Sequence, residues 1–198
     1  MEDTVAAAET ADVVVIGGGI LGCSAAYHLH KAGAGRVVLV EQAADIGMET
    51  TAAGAGFVSL WRADLAHWGD LDLSLERYAH QFYRELSTAN EIGLRAVGMA
   101  RVAVAAEGAR LLAAQYAHAR TLVSEDEVQL LTPDRLAELL PTIDAARVSA
   151  AVYWPTVLRS DAPLAARAIG RELAAAGVPT RCTGPRRCAS TRRSPRVP

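Results

Sequence analysis

The stretch from Val13 to Glu41, VVVIGGGILGCSAAYHLHKAGAGRVVLVE, constrains the fold more than any other part of this 198-residue chain. Val13, Val14, Val15 and Ile16 form a short β-branched run of the kind that makes a parallel strand buried on both faces. Gly17, Gly19 and Gly22 then give G-x-G-x-x-G where the strand must become a helix, predicted over about 20–32. Gly17 permits the tight turn, Gly19 lets backbone approach a pyrophosphate, and Gly22 lets the helix lie close on the sheet. Ala26 and Leu29 fall on the inner helix face, Gly33 closes the helix, and a second strand runs from Arg36 to Val40. Glu41 follows about 20 residues after the turn, where a carboxylate accepts hydrogen bonds from an adenosine ribose. The helix N-terminus offers N–H groups and partial positive charge to the pyrophosphate, so an ADP-containing dinucleotide is the ligand this pattern takes. Three glycines alone are an ordinary turn; the flanking strands, the helix and the acid make them specific.

Length and charge limit the alternatives. The chain is long enough to bury one domain or one and a half. A net charge of −2 gives no broad attraction to nucleic acid or an anionic membrane, and neither partner is expected. The stretch from Arg181 onward is basic without an acid, and the body before it is acidic. Residues 1–10 read as a disordered leader that opens with acids and lacks the basic start of a secretory signal. No apolar run reaches membrane-spanning length, and a cytoplasmic chain is expected. Cys23, Cys182 and Cys188 are odd in number and lack C-x-x-C spacing, so no disulfide framework and no metal site is indicated. Cys23 reads as a small buried residue on the first helix.

After the acid comes QAADIGMETTAAGAGFVSL, too poor in periodicity for a regular element. Its cluster Thr50, Thr51, Ala52, Ala53 and Gly54 combines hydroxyls and backbone amides with a lack of bulk, which lets a flat cofactor lie against the chain. Together, DVVVIGGGILGCSAAYHL, VVLVEQ and GMETTAAGAG resemble the FAD-dependent amine and amino-acid oxidoreductases. That group contains the D-amino-acid, glycine and sarcosine oxidases and dimethylglycine dehydrogenase. The resemblance implies an α/β fold: a Rossmann-like FAD-binding parallel sheet with helices on both faces, plus the beginning of an α+β substrate domain. It places FAD-binding roles on Gly17, Gly19, Ile20, Leu21, Gly22, Glu41 and Gln42, and on Thr50, Thr51, Ala53 and Gly54 near the ribityl chain and isoalloxazine. Some relatives bind flavin covalently through a histidine in this loop; none occurs here between Gly47 and Leu60. The implied activity is oxidation of the CH–NH group of a small amine or amino acid, with hydride passing to the flavin and the imine then hydrolysing.

The rest of the chain reads as scaffold with few candidates for chemistry. In WRADLAHWGD, Arg62 is a candidate partner for a substrate carboxylate and His67 a candidate base. A helix is predicted over 72–90, capped by Asp72 or Ser74, stopped by Gly93, and buried along Leu75, Tyr78, Ala79, Phe82 and Leu86. Two short strands flank Gly98, and a helix spans 106–122 with His118 exposed on it. VQLLTPDRLAELLP gives a strand and a helix that starts with Thr132 as cap and Pro133 at its first position. VSAAVYW is another strand, and Asp161 caps a helix that Gly177 ends. Leu164, Ala168 and Leu173 are expected to face the sheet, which VPTRC joins as a strand.

The expected organisation is an FAD-binding domain from 11–92 and 155–182, a partial substrate domain from 93–154, and a disordered basic tail over 183–198. The resemblance stops near Thr183, where relatives place a valine against the adenine and this chain reads Pro185, Arg186, Arg187 and Cys188. It implies a reading frame altered near Thr183, an N-terminal portion of the family enzyme, weak FAD retention and little or no turnover. Two other readings stay open: an NAD(P)-dependent dehydrogenase using the same turn, and a non-catalytic dinucleotide-binding module.

Overall fold

The computed structural model describes residues 10–58 and 69–184. The leader up to residue 9, the tail from Pro185, and the candidates Arg62 and His67 lie outside the described residues. In chain order the elements are β1 (Val13–Ile16), α1 (Ile20–Lys31), β2 (Val37–Glu41), a 3-10 turn (Thr50–Ala53), β3 (Phe57–Val58), α2 (Asp70–Ala89), β4 (Arg95–Ala96) and β5 (Met99–Ala103). Then follow α3 (Ala106–Leu122), β6 (Gln129–Leu130), α4 (Pro133–Leu139), a 3-10 turn (Ala145–Arg147), β7 (Ala150–Trp154), β8 (Leu158–Arg159), α5 (Ala162–Ala175) and β9 (Thr180–Cys182).

The chain forms two compact units, one of residues up to Gly54 with those from Ala162 on, the other Ala55–Asp161. The changeovers between these units fall at 54/55 and 161/162. The helix α2 sides with the second unit because it packs on β3 and its His80 Nε2 lies 2.9 Å from the Val58 carbonyl.

In the first unit, a parallel sheet runs in the order β1-β2-β9. Val13 pairs with Val37 and Ile16 with Val40, and Leu39 pairs with Thr180 on the other side. The ladder continues past β9, with Thr183 N–H donating to the Glu41 carbonyl. Gly33 and Gly177, both at positive φ, close α1 and α5 in the same way. The N–H of Ala34 reaches back to Leu29 and that of Val178 to Leu173, giving the six-to-one bond of a left-handed cap. Helix α5 lies along α1 and buries Ala165, Ala168, Ile169 and Leu173. Leu164 is more exposed than expected, because it stands in the first turn at the margin of that stripe. The strand β1 is likewise not buried on both faces. It is the edge of the described sheet, its burial alternates residue by residue, and Ile16 is 86% exposed.

In the second unit, an antiparallel sheet in the order β5-β7-β6 carries α3 on one face, and β8 pairs with β3 and β4 in a smaller sheet. Ala103, Leu112, Ala119, Val128 and Val152 form one buried cluster of this unit. Thr132 caps α4 as its sequence requires, its hydroxyl accepting from Arg135 N–H at 3.3 Å. The helix α2 departs from expectation. It starts after Gly69, whose N–H donates to Asp72 Oδ2 at 3.2 Å, rather than at Asp72, whereas it ends where the spacing places it, with the Asn90 side-chain amide donating to the Leu86 carbonyl. Its expected inner face is covered only in part: Leu75 is 51% and Tyr78 52% exposed, Ala79 and Phe82 are half-buried, and Leu86 is buried. Periodicity says which residues share a face, not which face meets the rest of the protein. His118 is part-buried rather than exposed.

Candidate dinucleotide crevice

The crevice forms where β1 ends and α1 begins. Gly17 adopts φ +105°, open only to glycine at low cost, and its N–H donates to the Val40 carbonyl at 2.7 Å, holding the turn against β2. A Cβ on Gly22 would sit 1.7 Å from the Gly17 carbonyl oxygen, so the start of the helix is pressed directly onto the turn. A Cβ on Gly19 would meet Thr51 Oγ1 at 2.9 Å. Helix α1 starts at Gly19 without a side-chain cap and without an acid in its first turn. Of its first N–H groups, that of Ile20 donates to Thr51 Oγ1 at 2.9 Å, so a residue 31 positions away supplies what a cap would.

Glu41 ends β2 at 6% exposure. Its Oε2 accepts from Gly18 N–H at 2.5 Å and its Oε1 from Ala43 N–H at 2.6 Å. The carboxylate is therefore fixed by its own backbone, and each oxygen keeps a further lone pair for a ligand hydroxyl. Beside it the Cys23 thiol lies 3.4 Å from the Gly18 carbonyl. Burial, then the Glu41 carboxylate and Cys182, pushes this thiol up to about 12, so it stays protonated and is no nucleophile at neutral pH.

The segment after Glu41 is more ordered than its composition suggests. Gly47 N–H donates to the Gly18 carbonyl at 2.9 Å, and the Ile46 side chain fills the space that Cβ atoms on Gly18 and Gly170 would take. The Thr50–Ala53 turn, unforeseen in the sequence, is closed by bonds from Ala52 to Glu49 and from Gly54 to Thr51. Small residues here allow a tight turn whose order comes from tertiary bonds, which no local periodicity signals.

A cleft of about 340 Å³ results, within the range typical of ligand sites. Of the residues singled out in the sequence, Gly17, Gly19, Glu41, Gln42, Thr50 and Thr51 line it. Ile20, Leu21 and Gly22 form the adjoining first turn of α1, whereas Ala53 and Gly54 end the 3-10 turn and do not line the cleft. Sequence reasoning missed Gly47, Met48 and Glu49, which also line it. The positive φ of Gly47 is the feature that a glycine in a small-residue loop signals. A cradle that Cβ atoms would fill, a helix start with no acid in its first turn and a buried carboxylate together fit the ADP half of a dinucleotide.

Fold and crevice define a dinucleotide-binding protein of the βαβ class. Residues 12–183 match the family described as DAO, FAD dependent oxidoreductase, and the chain belongs to that family, whose cofactor is FAD. It is 28% identical over 145 residues to the mitochondrial pyruvate dehydrogenase phosphatase regulatory subunit of Mus musculus, covering 73% of this chain and 16% of that protein. It is 31% identical over 153 residues to mitochondrial dimethylglycine dehydrogenase of Homo sapiens, covering 74% of this chain and 16% of that protein. The crystal structure of glycine oxidase from Geobacillus kaustophilus matches with a TM-score of 0.69 at 26% identity, over 87% of this chain and 46% of the other. The chain thus spans about a sixth of the length of these curated relatives and under half of the glycine oxidase.

Proposed function

We propose that this chain cradles FAD for an oxidoreductase acting on the CH–NH group of a small amine or amino acid. The observation that carries the reading is the buried Glu41 carboxylate, held by Gly18 and Ala43 beside the start of α1. Gly17, Gly19 and Gly22 shape the phosphate turn, and the backbone of Ile20 and Leu21 brings the positive end of α1 to it. Glu41 and Gln42 take the ribose, and Thr50 and Thr51 back the cofactor beyond the pyrophosphate. Bound FAD supplies the acceptor for the hydride leaving the carbon that bears the amine. The names of the two enzymes above, dimethylglycine dehydrogenase and glycine oxidase, support an amine or amino-acid substrate.

The cradle contacts are modest. A helix terminus contributes about 0.3–1 kcal/mol and a hydrogen bond to a charged group about 1.5–3. We therefore expect weak FAD retention and little turnover from this chain by itself. A second reading, a non-catalytic nucleotide-binding module, is favoured by the likeness to a regulatory subunit. Titration with FAD, ADP and NAD, followed by protein fluorescence, tests the cradle. FAD and ADP should compete, NAD should bind at least tenfold more weakly than FAD, and Glu41→Gln should weaken FAD at least tenfold. NAD binding equal to FAD, or indifference to Glu41→Gln, would overturn the assignment. Amine oxidation by the FAD-loaded chain would exclude the non-catalytic reading.

A further inference from the structure

Within the second unit, one face of α2, the C-terminal end of α3 and the end of β7 enclose a cavity of about 160 Å³ that shares no residue with the crevice. Leu73, Leu122, Val123, Trp154 and Val157 give it an apolar floor. Its rim is charged, because α2 presents Glu76, Arg77, His80 and Arg84 along the same face as Leu73, at the three- and four-residue spacing of one helix side. Both carboxylates of the rim already stand opposite a basic group. Glu76 lies 3.8 Å from His80 with both side chains largely covered, and Glu127 lies 3.7 Å from Arg77. Arg84 has no carboxylate opposite it among the described residues, so its guanidinium is the rim cation not matched by an acid.

An apolar floor with a few convergent polar groups is the anatomy of a small-molecule site. An apolar cavity of about 150 Å³ holds a benzene ring, so this one takes a single ring or a branched chain of about that bulk. We propose that the cavity binds a small organic carboxylate, its hydrocarbon group on Trp154 and Leu122 and its carboxylate on Arg84. Glu76 and Glu127 disfavour a free carboxylate anywhere else on the rim, and Arg77 and Arg84 repel an ammonium there.

The probe is isovalerate, titrated into the full chain with two-dimensional NMR observing the Trp154 indole N–H; Trp154→Phe assigns the signal. Isovalerate should shift this resonance saturably, with isovaleramide and isoamylamine binding at least tenfold more weakly. Arg84→Gln, at an exposed position, should weaken isovalerate about tenfold while the thermal melt is unchanged. Ala119→Met, which fills the cavity from α3, should abolish the shift, and its melt reports folding independently. No shift at saturating isovalerate, equal binding of acid and amide, or indifference to Arg84→Gln would each overturn the proposal. None of these results depends on FAD, so the crevice assignment stands or falls separately.

Discussion

Replacing Gly22 with alanine tests how closely α1 is pressed onto the phosphate turn. The added Cβ would stand 1.7 Å from the Gly17 carbonyl oxygen and 2.9 Å from its carbon, so one backbone segment must retreat until the contact exceeds 3.0 Å. Overpacking of this kind costs about 1–3 kcal/mol, and backbone opposition places Gly22→Ala at the upper end. Alanine in place of glycine inside a helix returns about 1 kcal/mol. The net is a loss of about 2 kcal/mol, or about 4–8 °C in melting temperature for a chain of this length. Gly170→Ala is the internal control. It gains the same helix propensity, but its Cβ meets the terminal methyl of Ile46 at 2.2 Å, and a side-chain end can rotate away. Circular dichroism melts of both variants should therefore show Gly22→Ala clearly below wild type and Gly170→Ala within about 1 kcal/mol of it. FAD or ADP affinity should fall in Gly22→Ala as well, because the helix start moves with the turn. A Gly22→Ala melt at or above wild type would refute the reasoning, since helix propensity would then have outweighed a contact that the turn supposedly cannot relieve.

Glu41→Gln should destabilise the unliganded chain by about 1.5–3 kcal/mol in urea denaturation, because an amide offers one acceptor where Gly18 and Ala43 N–H require two. Thr51→Val should cost about 1 kcal/mol, the typical worth of a helix cap, and Thr51→Ser should restore it, since only the hydroxyl serves Ile20 N–H. With Cys188 replaced by serine, a thiol reagent at pH 8 should label the exposed Cys182 in the native chain and Cys23 only on unfolding. Because the folded Cys23 thiol titrates near 12 against an ordinary 9.0, its contribution to stability is complete below about pH 9. It declines as pH rises from 9 to 12, where the unfolded chain releases a proton that the folded chain keeps. Native-state labelling of Cys23 as fast as Cys182 would contradict its burial.

What the residues alone determined is local. The run Val13–Ile16, the glycine spacing at 17, 19 and 22, the stop at Gly33 and the acid at 41 appear in the structure as strand, turn, helix and acid-ending strand, within a residue or so of where the pattern places them. Thr132 with Pro133 and Gly177 mark helix ends equally well, because capping chemistry acts over three or four residues. Only the tertiary structure decided that Thr51 caps α1, that Ile46 fills the gap between Gly18 and Gly170, and that Leu75 and Tyr78 of α2 face outward. It also decided that Glu41 is held by its own backbone before any ribose arrives. Hydrogen bonds and packing between residues tens of positions apart depend on which surfaces meet, and a one-dimensional pattern carries the shape of each surface but not its partner.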